Sequence, residues 1–242
     1  MKLKSIIPNS LTALNLFCGC LAVLAFLYDA FLLGVILIFV AALADFFDGF
    51  AARLLNVQSE LGKQLDSLAD MISFGFVPGI IMFKALIGDK SSDINQLIQS
   101  DNYLPFIGFI ITVFSGFRLA KFNIDKRQTT SFIGVPTPAN TLFFLTIPLI
   151  WINEQPGDLA YELSRNIYLL CSLTFIFSYL LIAELPLIAL KFKGFTFKKN
   201  IARYSLLALS AISIVLFGYL SIPIILLIYI LISILESIFI KS

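Results

Sequence analysis

The sequence contains no histidine and few charged residues. Of its 242 residues, 13% are charged and 59% are hydrophobic, whereas soluble domains carry about 25% charged residues. An ordinary soluble domain is therefore excluded, and without histidine so are Ser-His-Asp catalysis, Cys-His catalysis and imidazole metal sites. Cys18, Cys20 and Cys171 form no metal-binding or disulfide pattern and are predicted to be buried thiols. Any acid–base chemistry must depend on carboxylates.

Long apolar runs divide the whole chain. A spanning helix needs about 20 mostly apolar residues, and the runs are too long for the strands of a membrane barrel. The sequence therefore predicts one integral membrane domain over residues 1–242, an all-α bundle of about eight transmembrane helices. The predicted spans are 9–28, 30–54, 62–87, 102–122, 136–153, 165–189, 202–218 and 221–240.

Lysine and arginine are unevenly distributed between the predicted loops. Positive charge accumulates on the cytoplasmic loops of membrane proteins. With a cytoplasmic N-terminus, fourteen of the 17 basic residues lie on the cytoplasmic side, the exceptions being Lys84, Lys90 and Arg165. This pattern predicts a multi-pass protein of the inner membrane with both termini cytoplasmic. The basic segment 191–203 either binds anionic lipid head groups or is only a topology signal.

Four aspartates occur in the second and third predicted spans, where charged side chains are costly and usually mark a functional site. Asp45 and Asp48 lie near the cytoplasmic end of one span, and Asp66 and Asp70 lie near the cytoplasmic start of the next. At about 100° per residue, each pair shares a helix face with small residues. A short loop joins the two helices, which favours their being neighbours. We therefore expect the four carboxylates to converge.

Four carboxylates close together in a low dielectric require positive charge among them. Oxygen ligands without His or Cys select Mg²⁺, Mn²⁺ or Ca²⁺, and paired divalent ions are a recurring device for displacement at phosphorus. Gly49 and Ala52 would let a phosphorylated ligand approach the backbone, and Arg53 would hold phosphate. In the structural alternative, small residues only allow close helix packing, and the acids pair with basic residues. Those basic residues are Arg53, Lys63, Arg118 and Lys121.

The spacing of these residues forms a signature. The pattern Asp-x2-Asp-Gly-x2-Ala-Arg-x8-Gly-x3-Asp-x3-Asp is complete from Asp45 to Asp70. It resembles the signature of CDP-alcohol phosphotransferases, membrane enzymes that transfer a substituted phosphate from a CDP-linked donor to an alcohol and release CMP. The resemblance implies that Asp70 is the catalytic base and that two ions, Mg²⁺ or Mn²⁺, are bound by Asp45, Asp48, Asp66 and Asp70. It also implies a CDP-binding site, to which we assign Gly49, Ala52, Arg53, Ser59 and Gly62.

Three flanking segments, 7–16, 116–123 and 132–140, resemble the serine-using bacterial and archaeal branch of the same family. This implies CDP-diacylglycerol as donor, L-serine as acceptor, a lipid environment and a homodimer, with no nucleic-acid partner. Lys121, Val135 and Asn140 depart from the pattern of that branch. Glycerol 3-phosphate and an inositol phosphate are therefore alternative acceptors. A cation transporter that uses the aspartates as its ion site is the alternative outside enzymes.

Asn9 and Thr12 lie three residues apart at the predicted cytoplasmic mouth of the first span. They either contact the cytidine or its ribose, or Asn9 caps the helix together with Ser10. Prolines two residues apart follow Gly134 and interrupt the helix before the fifth span. That interruption either lines an acceptor pocket or is a rigid turn.

Three charged residues are candidate contacts of the acceptor. Arg118 and Lys121 either bind the serine carboxylate or the donor diphosphate, or they anchor the fourth span. Glu184 is predicted to be buried in the sixth span, about 10 Å from the basic segment. It either faces the serine ammonium or pairs with Arg118 or Lys191.

Overall fold

The computed structural model describes residues 3–88, 101–125, 132–188 and 200–240. Within these ranges the chain is helical apart from connections and one short extended pair, which confirms the all-α prediction. The helices are α1 (Ile6–Leu27), α2 (Phe31–Leu54), α3 (Glu60–Asp70), α4 (Val77–Ile87), α5 (Phe109–Ile124), α6 (Thr137–Phe144), α7 (Thr146–Asn153), α8 (Leu159–Arg165), α9 (Ile167–Ile182), α10 (Ile201–Phe217) and α11 (Ser221–Ile240). The extended segments are β1 (Phe132–Ile133) and β2 (Pro186–Leu187), which pair antiparallel.

Several stretches of the described chain are long and apolar enough to cross a membrane, which agrees with the prediction of a multi-pass membrane protein. Five stretches qualify, and a sixth does if α8 and α9, which meet at 70°, form one broken span. The five are Ile6–Leu27, Phe31–Leu54, Glu60–Ile87, Leu104–Ile124 and Ile201–Ser237.

The predicted number of about eight spans exceeds this count for two reasons. The predicted span 136–153 consists of two eight-residue helices, α6 and α7, each too short to qualify. The stretch Ile201–Ser237 is counted once but contains both α10 and α11. Arg203, near the start of α10, bonds Glu236, near the end of α11, at 3.5 Å, so these two helices run antiparallel.

The third predicted span is the central helix of the bundle. It is continuous from Glu60 to Ile87 but passes through a π-helical segment, Met71–Phe76, between α3 and α4. Pro78 has no N–H to donate to the carbonyl of Phe74 in the α-helical pattern, and the hydroxyl of Thr141 donates to that carbonyl at 2.8 Å. Every residue of α4 is buried. The central helix thus supports its neighbours and fixes where α3 presents its acidic residues.

The sixth predicted span ends earlier than the sequence suggests. Helix α9 stops at Ile182, and the chain then forms β2 beside β1. Glu184 therefore lies beyond the helix, and its side chain is 67% exposed. The prediction that Glu184 is buried within the span is wrong. The lysines of the following basic segment, including Lys191, lie outside the described residues.

Gly134 lies where the chain after β1 passes close to the backbone at the end of α9. Its φ of 76° lies in the left-handed region, and a Cβ there would lie 2.6 Å from the carbonyl oxygen of Leu181. No side chain fits without displacing the backbone of α9. This finding favours the rigid-turn interpretation of the interruption before the fifth span.

Replacing Gly134 by Ala is expected to destabilise the protein more than the same change at Gly157. Gly157 also has a positive φ, 103°, but a Cβ there meets nothing within 4 Å. Gly157→Ala should therefore cost only the backbone strain of about 1–2 kcal/mol, whereas Gly134→Ala adds a clash with backbone. Thermal unfolding in detergent measures both, and equal losses would contradict the steric argument.

Candidate active site

The site lies at the end of the bundle where α1 begins, α2 ends and α3 begins. Helix α1 packs against α2, α3 and the π-helical segment, and thereby holds the two acidic helices together. Asp45 and Asp48 lie in the last three turns of α2, and Asp66 and Asp70 lie in the second half of α3. The predicted convergence of the two helices is confirmed.

The four carboxylates form one cluster. One oxygen each from Asp45, Asp48 and Asp66 lies within 4.8 Å of the other two. The carboxylate of Asp45 also interacts with that of Asp70. The cluster therefore concentrates negative charge at one point of the membrane domain.

The chemistry of these ligands fits a divalent metal. All the donors are carboxylate oxygens, which suit Mg²⁺ and Mn²⁺. One of them, Asp66 Oδ1, is buried and has no hydrogen-bond partner among the described residues. Within the described ranges no salt bridge joins any of the four aspartates to a lysine or arginine. The structural alternative, in which the acids pair with basic side chains, thus finds no salt bridge among the described residues, although the charge of Arg118 interacts with that of Asp70.

A cavity of about 510 Å³ opens beside the cluster. It is bounded by the first turns of α1, the end of α2, the connection to α3 and the first turns of α3. All the residues assigned to CDP binding from the sequence lie on its wall, together with two of the aspartates. The lining residues are Pro8, Asn9, Thr12, Asp48, Gly49, Ala52, Arg53, Val57, Gln58, Ser59, Glu60, Gly62, Lys63 and Asp66.

Small residues shape the cavity wall on α2. A Cβ at Gly49 would meet only the guanidinium of Arg53, 3.9 Å away. Gly49 therefore leaves open space in front of the backbone, bordered by a positive charge. This is the arrangement expected of a surface that admits a phosphorylated ligand.

Ser59 has a structural role as well as a place on the cavity wall. It is the N-cap of α3, and its Oγ accepts a hydrogen bond from the N–H of Gly62 at 3.0 Å. A Cβ at Gly62 would lie 3.2 Å from that oxygen and 3.6 Å from Asn9 Oδ1. The serine hydroxyl proton stays available to a ligand while its oxygen fixes the start of the acidic helix.

Ser59→Ala is expected to remove about 1 kcal/mol of stability and to raise the KM for the CDP-linked donor. Asn166→Ala is the matched control, because Asn166 caps α9 in the same way, accepting from Leu169 N–H at 3.0 Å, and does not line the cavity. Thermal unfolding should show similar losses for the two variants, and steady-state kinetics should show a raised KM only for Ser59→Ala. A raised KM in both variants would contradict the assignment of Ser59 to the donor site.

Thr12 reaches across from α1 to the acidic cluster. Its hydroxyl lies 2.5 Å from Asp48 Oδ2 and 3.1 Å from the carbonyl of Pro8. Helix α1 begins at Ile6, so Asn9 and Ser10 lie inside the helix rather than at its cap. The capping interpretation is therefore wrong, and both Asn9 and Thr12 lie on the cavity wall.

Asn15 is a site residue that the sequence analysis missed. It is fully buried, and its Nδ2 donates to Asp70 Oδ1 at 3.2 Å. A signal was available, since Asn9, Thr12 and Asn15 recur every three residues on one face of an otherwise apolar helix.

Arg118 is buried and is not among the residues that line the cavity. Its side chain is 8% exposed, stacks on the ring of Phe122 and donates from Nη1 to Thr137 Oγ1 at 3.3 Å. Its charge interacts with Asp70, and its Nε is buried without a partner among the described residues. A buried guanidinium with an unused donor is suited to an anionic ligand group.

Lys121 and Glu184 lie apart from this cluster and pair with each other. Their Nζ and Oε1 atoms are 3.4 Å apart, and the two side chains are 39% and 67% exposed. The sequence analysis predicted that Glu184 faces the serine ammonium or pairs with Arg118 or Lys191. It did not predict the pair with Lys121. Of the three candidate acceptor contacts, the structure places only Arg118 beside Asp70.

Comparison with known proteins identifies the family of this chain. Residues 5–188 match the sequence profile of the CDP-alcohol phosphatidyltransferase family. The chain is 36% identical over 136 residues to a CDP-diacylglycerol–serine O-phosphatidyltransferase of Bacillus subtilis, covering 54% of this chain and 69% of that protein. An enzyme of the same name from Helicobacter pylori is 30% identical over 145 residues, which cover 59% of this chain and 57% of that protein.

A third relative is similar along almost the whole chain. An enzyme of the same name from Mycobacterium leprae is 27% identical over 231 residues, which are 93% of this chain and 72% of that protein. The profile match includes the complete aspartate signature, the first turns of α1 and the segment that carries Arg118. The chain therefore belongs to the CDP-alcohol phosphatidyltransferase family, a family of enzymes.

Proposed function

We propose that the protein transfers the phosphatidyl group of CDP-diacylglycerol to the hydroxyl of L-serine and releases CMP. The observation that carries this proposal is the cluster of four carboxylates beside a cavity whose wall combines Gly49, Ala52 and Arg53. The names of the relatives support the choice of donor and acceptor.

In this proposal the donor's cytidine and diphosphate occupy the cavity, and its acyl chains remain in the lipid. Asn9 and Ser59 contact the nucleotide, and Arg53 contacts the diphosphate at the open wall beside Gly49. Asp45, Asp48, Asp66 and Asp70 would hold two Mg²⁺ or Mn²⁺ ions. Divalent ions bound there would neutralise the diphosphate and make CMP a better leaving group.

Asp70 acts as the general base. It accepts the proton of the serine hydroxyl while the hydroxyl oxygen forms a bond to the β-phosphorus of the donor. The bond from that phosphorus to the CMP phosphate oxygen breaks, and phosphatidylserine and CMP result. Asn15 holds Oδ1 of Asp70, so one carboxylate oxygen is fixed. The sequence contains no histidine to activate a side-chain nucleophile, which favours direct displacement.

The position of Arg118 favours an acceptor with a single carboxylate. Lys121, the other candidate cation, is paired with Glu184 on the exposed side. Glycerol 3-phosphate or an inositol phosphate would present a dianionic phosphate, which calls for more than one cation. Serine remains the acceptor that this arrangement supports best.

The cellular setting is part of the same proposal. The distribution of lysine and arginine supports an inner-membrane protein with both termini and the cavity on the cytoplasmic side. The cavity lies at the end of the bundle where α1 begins, which is the same side as the N-terminus. A homodimeric assembly is supported by the family resemblance.

The test is CMP release by the purified full-length protein from CDP-diacylglycerol with Mg²⁺ or Mn²⁺. Serine, glycerol 3-phosphate and an inositol phosphate are offered in separate reactions. We expect CMP release that depends on serine and stops when EDTA is added. Release with another acceptor alone would replace serine and keep the family chemistry, whereas ion flux without CMP release would support a transporter instead.

A further inference from the structure

Asn15 carries a second polar atom that no group in the described part of the chain uses. Its Nδ2 donates to Asp70 Oδ1 at 3.2 Å, but its Oδ1 is buried with no hydrogen-bond partner among the described residues. Leaving a buried acceptor unpaired costs about 1–3 kcal/mol, so native structures rarely keep one without a reason. Because both atoms belong to one planar amide, the unpaired oxygen is held in the immediate neighbourhood of the Asp70 carboxylate.

The packing around Asn15 holds this amide in place. The main-chain oxygen of Asn15 accepts from Ser73 Oγ at 3.0 Å, on the π-helical segment that follows Asp70. Ser73 sits against Gly19, where a Cβ would overlap its hydroxyl. Asn15 and Asp70 are therefore fixed to each other through two separate contacts between α1 and the central helix.

Two buried polar atoms, each on a residue that interacts with Asp70, thus have no partner among the described residues, and they have opposite character. Asn15 Oδ1 can only accept a hydrogen bond, and Arg118 Nε can only donate one. They come from different helices, α1 and α5, and Asp70 interacts with both residues. A ligand that satisfies both atoms carries a hydrogen-bond donor for the amide oxygen and an acceptor for the guanidinium, and the ammonium and carboxylate of serine are groups of these kinds.

We propose that Asn15 recognises the acceptor's ammonium group through Oδ1 while its Nδ2 positions Asp70, with Arg118 holding the carboxylate. This proposal rests on the proposed function and adds the basis of its acceptor specificity. The ammonium of serine offers three donors, one of which reaches Oδ1. A hydroxy acid without an ammonium leaves Asn15 Oδ1 without a hydrogen-bond donor. An amino alcohol without a carboxylate leaves Arg118 Nε without an acceptor.

The first test compares Asn15→Ala with the wild-type protein on three acceptors. These are L-serine, 3-hydroxypropionate, which lacks the ammonium, and ethanolamine, which lacks the carboxylate. Turnover is measured by CMP release, and poor substrates are measured as competitive inhibitors of serine use. The preference for serine over 3-hydroxypropionate should fall about 10- to 100-fold, as expected for a hydrogen bond to a charged group. The preference for serine over ethanolamine should not change.

Two further variants separate recognition from positioning and from packing. Asn15→Asp keeps an oxygen that accepts from the ammonium but cannot donate to Asp70, so we expect kcat to fall while the KM for serine stays within a few-fold. Ser73→Ala removes the clamp on the main chain of Asn15 and keeps the amide. It should lower thermal stability without changing acceptor preference.

The failures can be told apart. A wild-type protein that releases no CMP with serine contradicts the proposed function itself. A serine-active protein whose Asn15→Ala variant keeps its full preference for serine over 3-hydroxypropionate overturns only the role of Asn15. An unchanged KM for serine together with a higher requirement for Mg²⁺ in Asn15→Ala would assign Oδ1 to a metal ion and also overturn it.

Discussion

Asp70→Asn should lower the rate of CMP release about a thousandfold, within the range expected for loss of a general base. Asparagine has the same shape, and its side-chain oxygen can still accept the hydrogen bond from Asn15 Nδ2. The variant therefore keeps the position of residue 70 and removes its charge and its ability to take up a proton. Steady-state kinetics should show the loss mainly in kcat, with a smaller change in the KM for CDP-diacylglycerol.

The control for this variant is Asp29→Asn. Asp29 is also an aspartate of the membrane domain, but it pairs with Lys84 at 2.8 Å where α1 turns into α2, at the opposite end of these helices. Turnover per folded molecule should not change in this control. A turnover within tenfold of wild type in Asp70→Asn would exclude Asp70 as the base and move that role to another carboxylate of the cluster.

The signature residues could be placed from sequence because their positions depend on local rules. Within one helix, a separation of three or four residues keeps side chains on one face. A short connection between α2 and α3 then brings the two acidic faces together. These two rules suffice for Asp45, Asp48 and Asp66, whose oxygens meet within 4.8 Å.

Contacts between residues distant in sequence could not be predicted in the same way. Glu184 appeared to belong to a buried helix because the apolar run continues past it, but the pairing of Phe132 with Leu187 draws the chain out of helix after Ile182. The partner of Glu184, Lys121, lies 63 residues away. The residues next to Lys121 and Glu184 in the sequence give no indication that these two side chains meet.

The π-helical segment is a similar case. Pro78 signals that the α-helical hydrogen bonding is interrupted, but the continuity of the helix through this point depends on Thr141, which donates to Phe74 O from another helix. Asn15 shares a polar helix face with Asn9 and Thr12 in the sequence, but its contact with Asp70 depends on the packing of α1 against the central helix. Sequence therefore predicted which carboxylates meet, and tertiary packing determines which distant residues contact them.

Asp45→Asn should have opposite effects on stability with and without metal. The Asp45 carboxylate faces the carboxylates of Asp70 and Asp48, so in the metal-free protein it adds repulsion to the fold. Removing its charge should raise the unfolding temperature in EDTA by about 2–4 °C, which corresponds to 1 kcal/mol for a chain of this size. The same change removes a metal ligand and should abolish CMP release.

Bound Mg²⁺ should make the wild type more stable than Asp45→Asn, which reverses the order expected in EDTA. At about 100 times its dissociation constant, a ligand that binds only the folded state stabilises it by about 2.7 kcal/mol. We expect Mg²⁺ to raise the unfolding temperature of the wild type and to have little effect on Asp45→Asn. In a titration with Mg²⁺, the unfolding temperature of the wild type should therefore start below that of Asp45→Asn and end above it.

Asp29→Asn distinguishes this charge effect from a general effect of removing an aspartate. Because Asp29 pairs with Lys84, which is 7% exposed, its loss leaves a buried cation without that partner and should lower the unfolding temperature in both conditions. Of these two variants, only Asp45→Asn, which removes a charge from the carboxylate cluster, is thus expected to raise the unfolding temperature in EDTA. If Asp45→Asn lowered the unfolding temperature in EDTA as well, the four carboxylates would not be held together against their repulsion, and the case for a metal centre built from them would fail.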